Sequence, residues 1–259
     1  MPNLPAELYY AQIEASTAML AVVVDSVDPE LAIPTCPDWT LRQLATHLGR
    51  AQRWATEIVK ARSDKFIDFR AVPDGKLPND EAERGRWLTA GATNLVAALR
   101  EADGDPVWTF GTMAPASFWA RRMSHEVMVH CADAHLATGT EVDIPAELAA
   151  DAIDEWLTVM SRLTAGQPDR RLIALPPGRS LHVHATDAEL AGNGEWLLTH
   201  AGDDTLQVAS EHGKADVALT GPATDVLLVL LRRVPASHEA VHVFGDHGLL
   251  SSWLEEVTF

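Results

Sequence analysis

The chain has 259 residues, of which 47% are hydrophobic and 22% charged, enough for one large core or two ordinary ones. A net charge of −17 and a pI near 4.9 argue against nucleic acid or an anionic membrane as partner, because a negative field repels phosphate. Two cysteines, no apolar run of membrane-spanning length and no signal-peptide pattern at the N-terminus predict a globular cytoplasmic protein.

The first part of the chain has the apolar spacing of amphipathic helices. The second of these helices has a clear start, because Thr40 and Gln43 form a capping-box pattern. The predicted segments, in order, are a helix over Leu4–Val27, a helix over Thr40–Arg62, a loop over 63–78, a helix from Asn79 to Asp103, an aromatic-rich connector over 106–113, a helix that begins with Pro115 and ends at Thr138-Gly139, and a helix over Pro145–Leu163.

Beyond a linker at 166–170 the apolar period changes from helical to alternating. Four strand-length runs separated by Gly, Asn and Asp turns predict antiparallel hairpins. These runs are 181–185, 195–199, 206–209 and 217–220, and they are followed by a helix from Pro222 to Arg232, a strand over 241–244 and a helix over 247–256. We therefore predict an α+β protein, with a helical bundle over residues 1–165 and a small α+β domain over residues 172–259.

Three polar side chains share one stripe of the predicted fourth helix, namely Glu126, His130 and Asp133. Glu126 and His130 are four residues apart and can bind one divalent ion, whereas His125 lies about 140° around the helix from His130. The best candidate for a third ligand is His47, which shares the apolar face of the predicted second helix. The pattern therefore indicates a metal site made by two helices.

The same residues also have a purely structural interpretation. A single His on a helix is usually a hydrogen-bonded part of the fold. Arg50 or Arg121 would then neutralise Glu126, since an unpaired carboxylate is costly to bury. Asp133 either accepts the imidazole N–H of His130 and orients it, or pairs with a surface Arg. Periodicity alone leaves both interpretations open.

Two further features lie in the C-terminal part. His182 and His184 alternate with apolar residues, so we expect both on the solvent side of a sheet. Arg232 and Arg233 end a predicted helix, where cations stabilise the helix dipole; the functional alternative is that one of them binds a carboxylate of a ligand.

On the predicted fourth helix, the side chain of Cys131 points about 100° away from that of His130, so we expect Cys131 to pack in the core.

Two segments carry a resemblance to a known family. Thr35-Cys36-Pro37-Asp38-Trp39-Thr40 before the helix of His47, and Trp119-Ala120-Arg121-Arg122-Met123-Ser124-His125-Glu126 before His130, resemble the mycothiol-dependent maleylpyruvate isomerase family. The resemblance implies a DinB-like four-helix bundle with a metal bound by His47, Glu126 and His130. It also implies that the C-terminal part is a small α/β domain similar to sterol-carrier-protein folds.

Three protein ligands leave a coordination position open, which is typical of catalytic sites of Zn²⁺ or another divalent transition metal. The resemblance implies that the thiol of mycothiol binds there as cosubstrate and is deprotonated. We expect its thiolate to attack an electrophilic small molecule, giving cis–trans isomerisation or S-transfer, with Asp133, Arg232 and Arg233 as candidate catalytic residues. The alternatives are a metal-dependent hydrolase, in which Asp133 or His125 handles protons, and a non-catalytic small-ligand-binding protein. We expect a monomer or a homodimer.

Overall fold

The computed structural model describes residues 4–164, 175–200 and 206–256, with side chains given up to residue 159 in the first range. It divides into two compact units, Leu4–Val142 and Asp143–Phe259. The α+β class predicted from the sequence is confirmed. Within the described ranges, no helix combines the length and the apolar character that crossing a bilayer requires.

The described residues of the first unit form a bundle of four helices: α1 (Ala6–Ser26), α2 (Leu41–Lys60), α3 (Glu81–Ala102) and α4 (Ser117–Thr138). Helices α1 and α2 each pack against both α3 and α4. Helix α2 begins with the predicted capping interaction, because the Thr40 N–H donates to Gln43 Oε1 at 2.8 Å. Leu44 and Leu48 are fully buried on its inner face, which fixes the direction in which His47 leaves the helix.

The predicted connector before α4 is in fact a hairpin of β1 (Pro106–Thr109) and β2 (Thr112–Pro115). Pro115 is therefore the last strand residue and not the first helical residue, so that prediction is wrong. The hairpin is held by tertiary contacts. The backbone N–H of Trp108 donates to the Ser63 carbonyl at 2.6 Å, and the Trp108 carbonyl accepts from Trp119 Nε1 at 2.9 Å. Spacing along the chain carries no signal for contacts of this kind.

The second unit packs helices on a sheet. Its described elements are α5 (Ala146–Thr164), β3 (Ser180–Ala185), the 3₁₀ turn Ala188–Leu190, β4 (Glu195–His200), β5 (Leu206–Ala209), β6 (Val217–Gly221), α6 (Ala223–Leu230), β7 (His242–Gly245) and α7 (His247–Glu256). The strand order among these residues is β5-β4-β3-β6-β7. Strand β3 pairs antiparallel with β4 but parallel with β6, so the all-antiparallel prediction is wrong for β6.

Helix α5 belongs to the second unit and not to the bundle. It packs against α6 and β5, and Asp154 on its buried face accepts a hydrogen bond from Trp196 Nε1 at 3.1 Å. Trp156 packs edge-on against Trp253 of α7, with ring centroids 5.9 Å apart. The division near Asp143 thus differs from the boundary at residue 165 expected from the sequence. The predicted linker at 166–170 lies outside the described residues.

This division can be tested with two fragments of the chain. A fragment ending at Val142 should stay helical and bind little hydrophobic dye, because the bundle core is complete. A fragment ending at Thr164 should bind markedly more dye, since the buried face of α5 would lose α6 and the sheet. Circular dichroism and dye fluorescence measure both properties. Equal dye binding by the two fragments would place α5 with the bundle.

Candidate metal centre

The bundle brings together His47 from α2 and Glu126 and His130 from α4. One ligand atom from each lies within 4.8 Å of the others. Glu126 Oε1 is 2.8 Å from His47 Nε2 and 3.4 Å from His130 Nε2. The three side chains are partly buried. The structure therefore places the three residues predicted as metal ligands around one point.

Asp133 lies directly behind His130 and is fully buried. Its Oδ2 is 2.8 Å from His130 Nδ1, and it accepts hydrogen bonds from Thr35 Oγ1 at 2.6 Å and from Cys36 Sγ at 3.3 Å. Asp133 is thus a partner of the His130 imidazole, which is one of the two roles expected from the sequence. A proton on Nδ1 leaves the Nε2 lone pair of His130 directed towards Glu126 and His47, which is the tautomer that a metal ligand needs.

The second oxygen of Glu126 is bound by Arg122, whose Nη2 lies 2.7 Å from Oε2. This guanidinium lies one turn earlier on α4 and neutralises Glu126, the role expected from the sequence for Arg50 or Arg121. Arg50 instead donates its Nε–H to the Gly75 carbonyl at 2.8 Å. Arg122 holds one carboxylate oxygen and leaves the other directed at the histidines.

Burial and hydrogen bonding act in opposite directions on this cluster. Burial lowers the pKa of the His130 imidazole, but hydrogen bonds with Asp133, Cys36 and Glu126 outweigh it, so this pKa lies well above its ordinary value. For Glu126, burial raises the pKa of the carboxyl, but hydrogen bonds with both histidines and the charge of Arg122 outweigh it, so this pKa lies well below the usual range. Without an ion, the protonated form of His130 is therefore favoured between the carboxylates of Asp133 and Glu126.

Aromatic rings lie beside the cluster. The ring of Trp39 lies 4.9 Å from that of His47 and 5.9 Å from that of His130. The ring of Phe69, in the loop between α2 and α3, lies 6.2 Å from that of His47. The sequence analysis assigned no role to Trp39 or Phe69. The sequence does place Trp39 directly before the capping box at Thr40, and this position near the start of the helix of His47 is the signal that could have indicated its role.

The remaining predicted residues lie elsewhere. His125 is only 2% exposed and packs edge-on against Tyr9 of α1. Cys131 is buried as expected, and burial raises the pKa of its thiol to about 12. Arg232 and Arg233 belong to the second unit, directly after α6, and Arg233 donates to the Leu231 carbonyl at 2.8 Å. Their role in binding a carboxylate remains a prediction.

The donor set at the cluster fits a divalent transition metal. Ligand atoms bound to one tetrahedral ion at about 2.0–2.2 Å are separated by about 3.3 Å. The two distances from Glu126 Oε1, 2.8 and 3.4 Å, bracket this value. Two imidazoles and one carboxylate suit zinc and its neighbours in the transition series. Cys36, His130 and Asp133 form a second close group, but hydrogen bonds already use the oxygens of Asp133.

The comparisons with known proteins agree with this architecture. The family model described as "Mycothiol maleylpyruvate isomerase N-terminal domain" matches residues 10–135, and the model described as "MDMPI C-terminal domain" matches residues 147–252. A crystal structure of the mycothiol-dependent maleylpyruvate isomerase is similar with a TM-score of 0.57 and 16% identity, and a histidine-to-alanine mutant of it with 0.60 and 15%. Each alignment covers 93% of both chains. No curated protein matches the chain.

The molecule is an α+β protein whose helical bundle carries a His–Glu–His cluster. The two family models together cover most of the bundle and most of the second unit. The chain belongs to the mycothiol-dependent maleylpyruvate isomerase family, as the resemblance of its sequence indicates.

The coupling between Asp133 and His130 yields a prediction for metal-free protein prepared with a chelator. Asp133→Asn should lower the pKa of His130, because the imidazolium loses a charged acceptor. A raised folded-state pKa stabilises the fold fully below the unfolded value of about 6.5, and this contribution is lost as the pH rises through the folded pKa. The stability difference between the native chain and the variant should therefore narrow as the pH rises.

Titration of the imidazole signals by NMR and chemical unfolding at several pH values measure the two effects. Thr35→Val serves as control, because it removes one hydrogen bond to Asp133 without altering the charge beside His130. Its stability loss should not vary with the protonation of His130. An unchanged pKa of His130 in Asp133→Asn would contradict the coupling.

Proposed function

We propose that the chain is a metal-dependent enzyme that uses mycothiol as a thiol cosubstrate and acts on an electrophilic small molecule. The observation that carries this proposal is the convergence of His47, Glu126 and His130 within 4.8 Å in a chain of the mycothiol-dependent maleylpyruvate isomerase family. The solved structures with the same fold are described as a mycothiol-dependent maleylpyruvate isomerase.

A divalent ion at the cluster would supply Lewis acidity, which lowers the pKa of a thiol below its free value of about 8.5 and provides thiolate at neutral pH. The chain's own residues prepare this position. Asp133 fixes the tautomer of His130, and Arg122 orients the carboxylate of Glu126. Trp39 and Phe69 reduce access of water beside His47, which strengthens the electrostatic interactions there.

The thiolate then determines the reaction. Its addition to a conjugated cis double bond leaves a single bond that can rotate, and its departure restores the double bond in the trans form. Attack on another electrophile, with departure of a different group, gives S-transfer instead. Both reactions begin with attack by the thiolate and need the same residues of the chain. We therefore propose this attack as the common step, which isomerisation or S-transfer would follow.

The arginines after α6 are the proposed ligands for an anionic group. The guanidinium of Arg232 has no hydrogen-bond or ion-pair partner in the part of the chain that the structure describes, so it is available to bind an anionic group. The test of this role is the KM of an Arg232→Gln variant. The hydrolase alternative is less well supported, because hydrogen bonds occupy Asp133 and His125 is buried against Tyr9.

The metal assignment makes a quantitative prediction. His47→Ala, Glu126→Ala and His130→Ala should each lower the metal content by about one ion per chain, because two remaining ligands hold zinc poorly. Elemental analysis after dialysis measures this content. His135→Ala is the matched control, since His135 is on the same helix but outside the cluster. Undiminished metal in His47→Ala would contradict its assignment as third ligand.

The thiol makes a separate prediction for Co²⁺-substituted protein. Mycothiol should produce a sulfur-to-metal charge-transfer band near neutral pH, because a thiolate is a better ligand than water for a borderline metal. Absorption spectroscopy measures the band, and His47→Ala should weaken it. If the native protein binds Co²⁺ but its spectrum does not respond to mycothiol, while esters are hydrolysed without it, the hydrolase alternative replaces the proposal.

A further inference from the structure

A second cluster of potential ligands lies in the other unit, on one face of its sheet. Leu181, Val183 and Ala185 of β3 are buried, and Val183 pairs with Trp196, which bonds to Asp154 of α5. The opposite face of β3 therefore points away from α5 and carries His182 and His184. The expectation that both would lie on the solvent side is wrong for His182, which is only 5% exposed.

Glu195 and His212 complete this cluster. Glu195 is the cross-strand partner of His184 on β4, and His212 follows β5 and lies with its ring 5.2 Å from that of His182, edge to face. The residues of this second cluster are thus His182, Glu195 and His212. They come from three separate segments of the chain, so the fold and not local sequence brings them together.

The second cluster brings its three side chains within reach of one ion. The three potential ligand atoms all lie within 4.8 Å of one another. Glu195 Oε2 lies 3.0 Å from His182 Nε2 and is hydrogen-bonded to His212 Nδ1 at 2.5 Å. Both distances are shorter than the spacing of about 3.3 Å expected for ligands of one tetrahedral ion, so an ion would replace this hydrogen bond and move His212 away from Glu195.

The buried nitrogen of His182 provides an independent observation. Its Nε2 is inaccessible to solvent and has no hydrogen-bond partner among the described residues, although Glu195 Oε2 is close. An unsatisfied buried polar atom costs about 1–3 kcal/mol. Ligand atoms that share a tetrahedral ion point at the ion, about 35° away from the line that joins them. Close approach without hydrogen-bond alignment is therefore what a ligand pair would show.

We propose that His182, Glu195 and His212 form a second divalent metal site, suited to Zn²⁺ or a neighbouring transition metal, distinct from the cluster in the bundle. Two imidazoles and one carboxylate leave one coordination position on the side of His212, whose side chain is 78% exposed. An ion bound here would join β3, β4 and the segment after β5. It would also satisfy the buried nitrogen of His182.

The test uses full-length protein in a His47→Ala background, in which the bundle cluster lacks a ligand. After dialysis against Zn²⁺, this protein should retain about one ion per chain, and adding His212→Ala should weaken Zn²⁺ binding at least about tenfold. Zn²⁺ should raise the Tm of the first protein and not of the second. Because the side chain of His212 is exposed, its removal opens no cavity.

Two further variants complete the design. His242→Ala is the matched control, since His242 is an exposed histidine of the same unit outside the cluster, and it should leave Zn²⁺ binding unchanged. Glu195→Gln in the otherwise native chain should lower the metal content by about one ion. Equal Zn²⁺ binding with and without His212 would overturn the proposal. Each comparison is a difference at one site, so its result does not depend on whether the bundle cluster binds metal.

Discussion

The bundle site depends on the hydrogen bonds of one buried carboxylate, that of Asp133. A fully buried charge is stable only when hydrogen bonds compensate for the lost water, and here Thr35, Cys36 and His130 provide them. These contacts attach the segment before α2 to the middle of α4. The same attachment places Trp39 over both histidines. One buried carboxylate thereby orients the imidazole of His130 and holds Trp39 beside the cluster.

The two histidine–carboxylate clusters use the same donor set in different surroundings. In the bundle, Glu126 is held between Arg122 and two imidazoles, and aromatic rings lie beside it. On the sheet, the oxygens of Glu195 lie close to the imidazoles of three histidines, and one of these imidazoles is largely exposed. The bundle carboxylate is thus shared between a guanidinium and two imidazoles, whereas the sheet carboxylate joins a buried imidazole to a largely exposed one.

Helical periodicity and capping chemistry were sufficient to predict much of the bundle. The start of α2 at Thr40 and the end of α4 at Gly139 follow from local rules, and the shared stripe of Glu126, His130 and Asp133 follows from the period of the helix. The parallel pairing of β6 with β3 could not be predicted, because it is a non-local contact that alternation alone does not encode.

Pairing partners were the least predictable feature of the sites. The sequence favoured Arg121 or Arg50 as the partner of Glu126, but Arg122 binds it. Neighbouring helical residues point about 100° apart, so an error of one residue selects the wrong cation. The burial of His182 depends on a loop residue, His212, that is distant in sequence. The assignment of α5 depends on its contacts with Trp196 and Trp253, and its own amphipathic pattern fits either unit equally well.

The contact between Thr35 and Asp133 spans 98 residues, and this separation has a consequence for the order of events during synthesis. His47 of α2 leaves the ribosome long before Glu126 and His130 of α4, and closing so long a loop costs entropy that only the packed bundle repays. The nascent chain therefore cannot bring these three side chains together before α4 has been synthesised and packed. The cluster is thus a property of the finished fold, and any ion that it binds is bound after folding.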